Sequence, residues 1–181
     1  PPAPGVDAAL CPQVPEDLLF RDRVVEEIEV SLAARGRTPD ALEVLARAGI
    51  DGLAERHPRD LSAGERMLVA VAATAAGGAP VLLLDEPTRG LDADAKDRLV
   101  ELLRGHVAGG GAAVVATHDV ELAGRLATRV VMLGGGEVVA AGAPARVLGD
   151  SPVFAPQTAR VFGPDWLTPE DVARAGRGAL R

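Results

Sequence analysis

The sequence is nearly without lysine: of its 19 basic residues only Lys96 is lysine, and the remainder are arginine. That scarcity bears on phosphate chemistry, because a P-loop, G-x-x-x-x-G-K-[ST], ends its glycine-rich cradle on a lysine. Lys96 stands in Ala93-Asp94-Ala95-Lys96-Asp97, so no such cradle occurs in these 181 residues. Aromatics are scarce too: Phe20, Phe154, Phe162 and Trp166 leave little for a base-stacking platform. Positive charge is in deficit, 19 against 26 acidic residues for a net −7, which argues against broad electrostatic binding of nucleic acid. One cysteine, Cys11, excludes an internal disulfide framework. The N-terminus, Pro1-Pro2-Ala3-Pro4-Gly5, has neither a basic nor an apolar stretch of the kind a signal peptide needs, and without an initiator methionine it reads as a cut or unrecorded beginning.

Long apolar runs are also missing, with one near exception. Met67 to Leu84 carries no charge over the length at which a transmembrane helix is considered, but Gly77-Gly78-Ala79-Pro80 interrupts it. The better reading is a buried helix followed by a buried strand, Val81 to Asp85, and no membrane span. At 48% hydrophobic and 25% charged, the composition is that of a globular chain with a core of normal size.

Local pattern then supplies the elements. Val6 to Leu10 reads as a short strand, and Phe20 to Leu32 as a helix with Val24, Val25, Ile28 and Leu32 on one face. Thr38-Pro39 opens a further helix that Gly49 closes. Ser62 begins the next, Asp92 caps one through about Arg104 with Gly105 beyond it, and Asp119 to Ala127 forms another. Ala112 to Thr117 reads as a second buried strand. Val130 to Leu133 and Val138 to Ala140 form a hairpin about Gly134-Gly135-Gly136, and Thr168-Pro169 starts a C-terminal helix. Strand–helix alternation from Val81 onward predicts an α/β layered core with a parallel sheet.

Three short segments carry candidate chemistry. Val81-Leu82-Leu83-Leu84-Asp85-Glu86-Pro87 delivers two carboxylates from the end of an apolar strand, where open α/β sheets bind ligands. One could hold Mg²⁺ and the next orient an attacking water; the plainer alternative is acids that meet solvent or cap a helix. Leu61-Ser62-Ala63-Gly64-Glu65 fits the S-x-x-E capping box, and the same geometry of free amides and a close-approach glycine makes an anion site. Thr117-His118-Asp119 follows a strand, where a lone histidine is more often a cap than a catalyst. His57 and His106 read as exposed residues of no special role.

Order changes the weight of these segments. From N to C terminus come Pro12-Gln13, Leu61-Ser62-Ala63-Gly64-Glu65, Asp85-Glu86-Pro87-Thr88, Gly90-Leu91-Asp92 and Thr117-His118-Asp119. This order resembles the Q-loop, signature, Walker B, D-loop and switch histidine of the nucleotide-binding domain of ATP-binding cassette (ABC) ATPases, over nearly the whole chain. The resemblance implies an α/β fold, a P-loop-NTPase-like core of parallel sheet flanked by helices, with an inserted helical subdomain at about 14–76. It implies ATP and Mg²⁺ as cofactors. Asp85 would support Mg²⁺, Glu86 would act as general base and His118 would contact the γ-phosphate. Gln13 would touch Mg²⁺ or water, while Ser62 and Gly64 would bind ATP held by a second ABC domain and Asp92 would help across that interface. Two departures stand in the signature: Ala63 and Glu65 replace the family's usual glycine and glutamine. In the family the P-loop precedes the Q-loop, and 12 residues precede Gln13 here. Residues 1–150 are therefore expected to be a partial ABC domain lacking its N-terminal part, inactive alone, with 151–181 a C-terminal extension.

Pro12-Gln13-Val14-Pro15-Glu16-Asp17-Leu18-Leu19-Phe20, with the acidic helix after it, is similar to the Q-loop of energy-coupling factor transporter ATPases. Ser151 to Gln157 and Trp166 to Val172 are similar to their C-terminal segment. That family powers import of vitamins or transition-metal ions through a transmembrane coupling subunit at the cytoplasmic face of the membrane. Two alternatives stay open. One is a non-catalytic half-domain that lends its signature to a complete partner. The other is an ABC ATPase of DNA maintenance, disfavoured because Gln13 and Leu61, 61 − 13 = 48 positions apart, leave no room for coiled-coil arms.

Overall fold

The computed structural model describes residues 7–34, 36 and 40–179. The chain divides after Thr117 into two compact units. The first is built on a three-stranded parallel sheet in the order β1 (Ala8–Cys11), β2 (Val81–Asp85), β3 (Ala112–Ala116). Between β1 and β2 lie the helices α1 (Val24–Ala33), α2 (Ala41–Arg47) and α3 (Ala63–Ala76), with short 3₁₀ turns among them; α4 (Ala93–Ala108) joins β2 to β3. The α/β expectation holds. A parallel pair needs a long crossover, and the chain supplies helices for each one.

Helix α3 is apolar around most of its circumference, with Met67 through Ala73 all buried, so it must lie inside. It packs against α1, α2, α4 and the sheet, and Ile28, Leu45, Leu68, Leu82, Leu99 and Val100 close the core around it. Each such side chain contributes roughly 1.5–3 kcal/mol by leaving water. The charge-free run from Met67 to Leu84 thus splits as its glycines suggest, and no described helix is long and apolar enough to cross a membrane.

Several boundaries differ from the expectation. α1 begins at Val24, not Phe20, because its first amides are taken by distant carbonyls: Val24 N–H donates to Arg56 O at 3.0 Å and Val25 N–H to Ala54 O at 2.9 Å. Phe20 lies outside the helix and is 77% exposed. α4 runs past Gly105 to Ala108, since an exposed glycine weakens a helix without ending it. β3 is not a buried strand. Its residues alternate between half-buried and exposed, and Val114, in register with Leu83 and Leu10, is 59% exposed on an open face of the sheet. His106 is likewise not a plain surface residue: its Nε2 is buried with no hydrogen-bond partner among the described residues, and a Cβ on Gly111 would clash with it. The Thr38-Pro39 helix start and Val6 lie outside the described residues; α2 is capped by Asp40, whose side chain accepts from Leu42 N at 2.8 Å.

The second unit holds α5 (Val120–Leu126), an antiparallel hairpin of β4 (Val130–Gly134) and β5 (Glu137–Gly142), then α6 (Gln157–Phe162) and α7 (Pro169–Ala179). The hairpin turns on Gly135 and Gly136 at φ 60° and 83°, the left-handed pair that a tight turn matched to strand twist requires. A single π-type turn at Ala145–Gly149 and the short α6 have no counterpart in the sequence reading. Thr168 and Asp171 cap α7 reciprocally, at 3.0 and 3.2 Å.

Candidate functional site

Parallel pairing sets the site. Because all three strands run the same way, their carboxyl ends share one edge, with Cys11 beside Leu84 and Asp85 beside Ala116. The loop bearing Gln13, the Asp85–Glu86 pair and Thr117 therefore emerge together. Gln13 and Asp85 are exposed. Cys11 beneath them is buried, and burial pushes its thiol up to about 11 against a hydrogen bond with Thr74, so it is an inert packing group.

Glu86 is the sole non-glycine residue at positive φ among the described residues, at 47°. Its N–H donates to Ala116 O at 2.8 Å, so β3 holds the turn while the side chain, half-buried, accepts from Thr117 Oγ1 at 3.4 Å. The contact with Thr117 was missed in the sequence, where that residue was noted only as the neighbour of His118. His118 is exposed and opens the second unit, where Asp119 caps α5 by accepting from Leu122 N at 3.0 Å.

The N-terminus of α3 forms the second part. Ser62 Oγ accepts from Glu65 N at 3.2 Å, and Glu65 Oε2 accepts from Ser62 N at 2.7 Å, a full capping box. Arg56 Nη1 lies 3.3 Å from Glu65 Oε1. The carboxylate that stands for the usual glutamine is thus turned onto its own helix cap. The Ser62 amide, then Ser62 Oγ and Arg56, hold it below the usual carboxylate range. A lowered folded-state pKa means that this stabilisation is complete above about pH 4.5 and fades as acid protonates the group. Glu65→Gln should therefore cost about 0.5 kcal/mol near neutrality, a small figure because solvent screens the Arg56 pair. The same variant should lose less melting temperature between pH 7 and pH 4 than the parent. Parallel melting curves check it; identical pH dependence would remove the carboxylate from the acid response.

The same helix end meets the turn after β2. A Cβ on Gly64 would lie 3.1 Å from Gly90 O and 3.3 Å from Leu91 Cδ2, and one on Gly90 would lie 3.3 Å from Ala63 Cβ. Ala63-Gly64 and Gly90-Leu91 form a close seam, where an added methyl would have to push its neighbours aside by a few tenths of an ångström. Asp92, just beyond, caps α4 by accepting from Ala95 N at 2.8 Å. The first unit thus brings Gln13, Asp85 and Glu86 to one sheet edge, and Ser62 and Gly64 against the turn that leads to Asp92.

For a metal, the described residues hold no group of three or more His, Cys, Asp or Glu side chains that could form a cage. Mg²⁺ suits such a site, since it takes one or two carboxylates and completes its shell with phosphate oxygens and water. Exposed Asp85, a hard oxygen donor at a strand end, fits that role, with Gln13 as a neutral oxygen on the same edge.

A family model described as "AAA domain, putative AbiEii toxin, Type IV TA system" matches residues 12–124. A putative ABC transporter ATP-binding protein of Streptomyces avermitilis is 49% identical over 168 residues, covering 92% of this chain and 30% of that protein. The energy-coupling factor transporter ATP-binding protein EcfA of Methanothermobacter thermautotrophicus is 33% identical over 144 residues, covering 77% of this chain and 46% of that one. Among solved structures, CbiO1 of Clostridium perfringens, part of the ABC transporter complex CbiONQ, aligns with a TM-score of 0.68 at 27% identity, over 80% of this chain and 60% of that one. The chain spans between 30% and about half the length of these two curated relatives. Strand-end carboxylates, a capped helix at the signature position and these relatives agree, and the chain belongs to the ABC transporter ATP-binding domains.

Proposed function

We propose that this chain is part of an ATP-binding and ATP-hydrolysing subunit of an ABC importer of the energy-coupling factor type, working with ATP and Mg²⁺. The observation that supports it most is the shared strand edge, where Asp85, the strained Glu86 and the Gln13 loop stand together. Asp85 would hold Mg²⁺, with Gln13 contributing through its side-chain oxygen; the ion supplies charge neutralisation for the phosphates. Glu86 takes a proton from the attacking water, and its fixed backbone keeps the carboxylate aimed at one place. His118 contacts the γ-phosphate and stabilises charge as the bond breaks. Ser62 and Gly64, at a helix N-terminus whose amides favour anions, face the γ-phosphate held by a second ABC ATPase domain, and Asp92 acts across that interface.

On this reading residues 1–150 are the ABC portion and 151–181 an extension. The subunit sits at the cytoplasmic face of a membrane against a transmembrane coupling subunit, which selects a vitamin or a transition-metal ion; nucleic acid is no partner. The test is ATP hydrolysis by this chain alone and then mixed with an intact cognate ATPase subunit. Turnover is expected only in the mixture. Robust turnover by the isolated chain would overturn the reading that its phosphate grip comes from elsewhere.

A further inference from the structure

The sheet-edge loop and the capped helix are joined by one side chain that no motif includes. Arg66, the residue after the signature, sends Nε to Glu16 Oε1 at 2.8 Å across 50 positions of sequence. Its Nη1 donates to Leu61 O, the carbonyl immediately before Ser62. Glu16 lies on the 3₁₀ turn Pro15–Leu18, three residues beyond Gln13, and that turn is anchored by buried Pro15. One planar guanidinium therefore grips the Gln13 loop with one edge and the entry to Ser62 with another. Its fork geometry makes the two bonds interdependent, because rotating the group to follow Glu16 moves it off Leu61. Arg66 is also the better shielded partner, 22% exposed against 52% for Glu16. A second tie fixes the far side of the same segment, where Arg56 pairs with Glu65 while its carbonyl accepts from Val24 N. A displacement of the Gln13 loop can therefore reach Ser62 through the Arg66 link, beside the packing of α3 on β1 and on the Pro15–Leu18 turn.

We propose that Arg66 is a positioning residue: through Glu16 it ties the orientation of Ser62 and Gly64 to the conformation of the Gln13 loop. The proposal rests on the signature role given to Ser62 and Gly64 above. Glu16 and Arg66 touch no phosphate themselves; they set where the phosphate-facing residues stand. Breaking the link should leave ADP binding alone and lower the rate at which bound ATP is turned over.

The test uses the intact subunit, with steady-state hydrolysis against ATP concentration, binding of a fluorescent ADP analogue, and melting temperature. Glu16→Ala, which keeps the Leu61 bond, and Arg66→Gln should each lower kcat about five-fold, the size of effect usual for residues that couple sites without touching ligand. ADP affinity and melting temperature should stay unchanged. The double variant should be no worse than either single one, because each already breaks the same link. Ser62→Arg, measured beside them, should abolish turnover. Normal kcat in Glu16→Ala while Ser62→Arg is dead overturns the link alone, as do effects that simply add in the double variant. Normal turnover in Ser62→Arg overturns both the link and the reading beneath it.

Discussion

In the intact subunit, Glu86→Gln is expected to slow ATP hydrolysis by at least about 100-fold while ATP binding stays within about two-fold. Glutamine has the shape of glutamate and can still accept from Thr117 Oγ1, so the site keeps its geometry and loses only the proton acceptor. Single-turnover hydrolysis beside equilibrium binding separates the two effects, and unchanged turnover removes Glu86 from the base role. The backbone supplies an independent arm. Glu86 sits at φ 47°, a conformation costing of order 1 kcal/mol or more for a residue with a side chain, and its N–H bond to Ala116 does not need that side chain. Glu86→Gly should therefore also destroy turnover but raise stability by about 1 kcal/mol, less the entropy glycine adds to the unfolded chain. A residue whose removal stabilises the fold and stops the chemistry is held in place for the chemistry. If Glu86→Gly loses more stability than glycine's added entropy and the lost Thr117 bond account for, the strain is not there.

How much of this was legible without coordinates depended on whether the cause was local. β2 followed from a continuous apolar run bounded by Pro80 and Asp85, and the cap of α3 from Ser62 and Glu65 three residues apart; both causes lie within the element. The hairpin at Gly135-Gly136 was read for the same reason. The start of α1 was not, because carbonyls of Ala54 and Arg56 fix it from 29 or more positions away: 54 − 25 = 29 and 56 − 24 = 32. The end of α4 was missed because Gly105 has open space about it, whereas the chain turns only at the Gly109-Gly110-Gly111 run. The open face of β3 was invisible, since Ala112 to Ala116 is apolar on both faces and alternation carries no signal. For the site, Gln13, Asp85 and Glu86 were readable as motif residues, but their meeting on one edge required the parallel register. The Thr117 contact, the Gly64–Gly90 seam and the Arg66–Glu16 link each join segments more than 20 residues apart, and no single window of sequence contains both partners.

That seam carries the last expected result: Gly64→Ala should lower turnover of the intact subunit at least about ten-fold while the protein still folds. Two opposing terms decide the stability. Alanine favours a helix over glycine by up to about 1 kcal/mol, and crowding a packed contact costs about 1–3 kcal/mol. Here the nearest atom to the new methyl is Gly90 O at 3.1 Å, a backbone carbonyl in a turn closed by the Leu91 N–H to Thr88 O bond, with Thr88 buried. It cannot swing aside as Leu91 Cδ2 can. Crowding wins by about 1 kcal/mol, and the first turn of α3 is displaced by a few tenths of an ångström together with Ser62. Such a shift matters little to folding and much to a transition state, where a misplacement near 1 Å costs about 100-fold. The carbonyl also fixes the control. Leu91→Ala removes the side chain and leaves Gly90 O in place, so Gly64→Ala with Leu91→Ala should remain as slow as Gly64→Ala alone. Recovery in the double variant would show that the leucine, not the carbonyl, sets the seam, and wild-type turnover in Gly64→Ala would show that the seam does not position Ser62 at all.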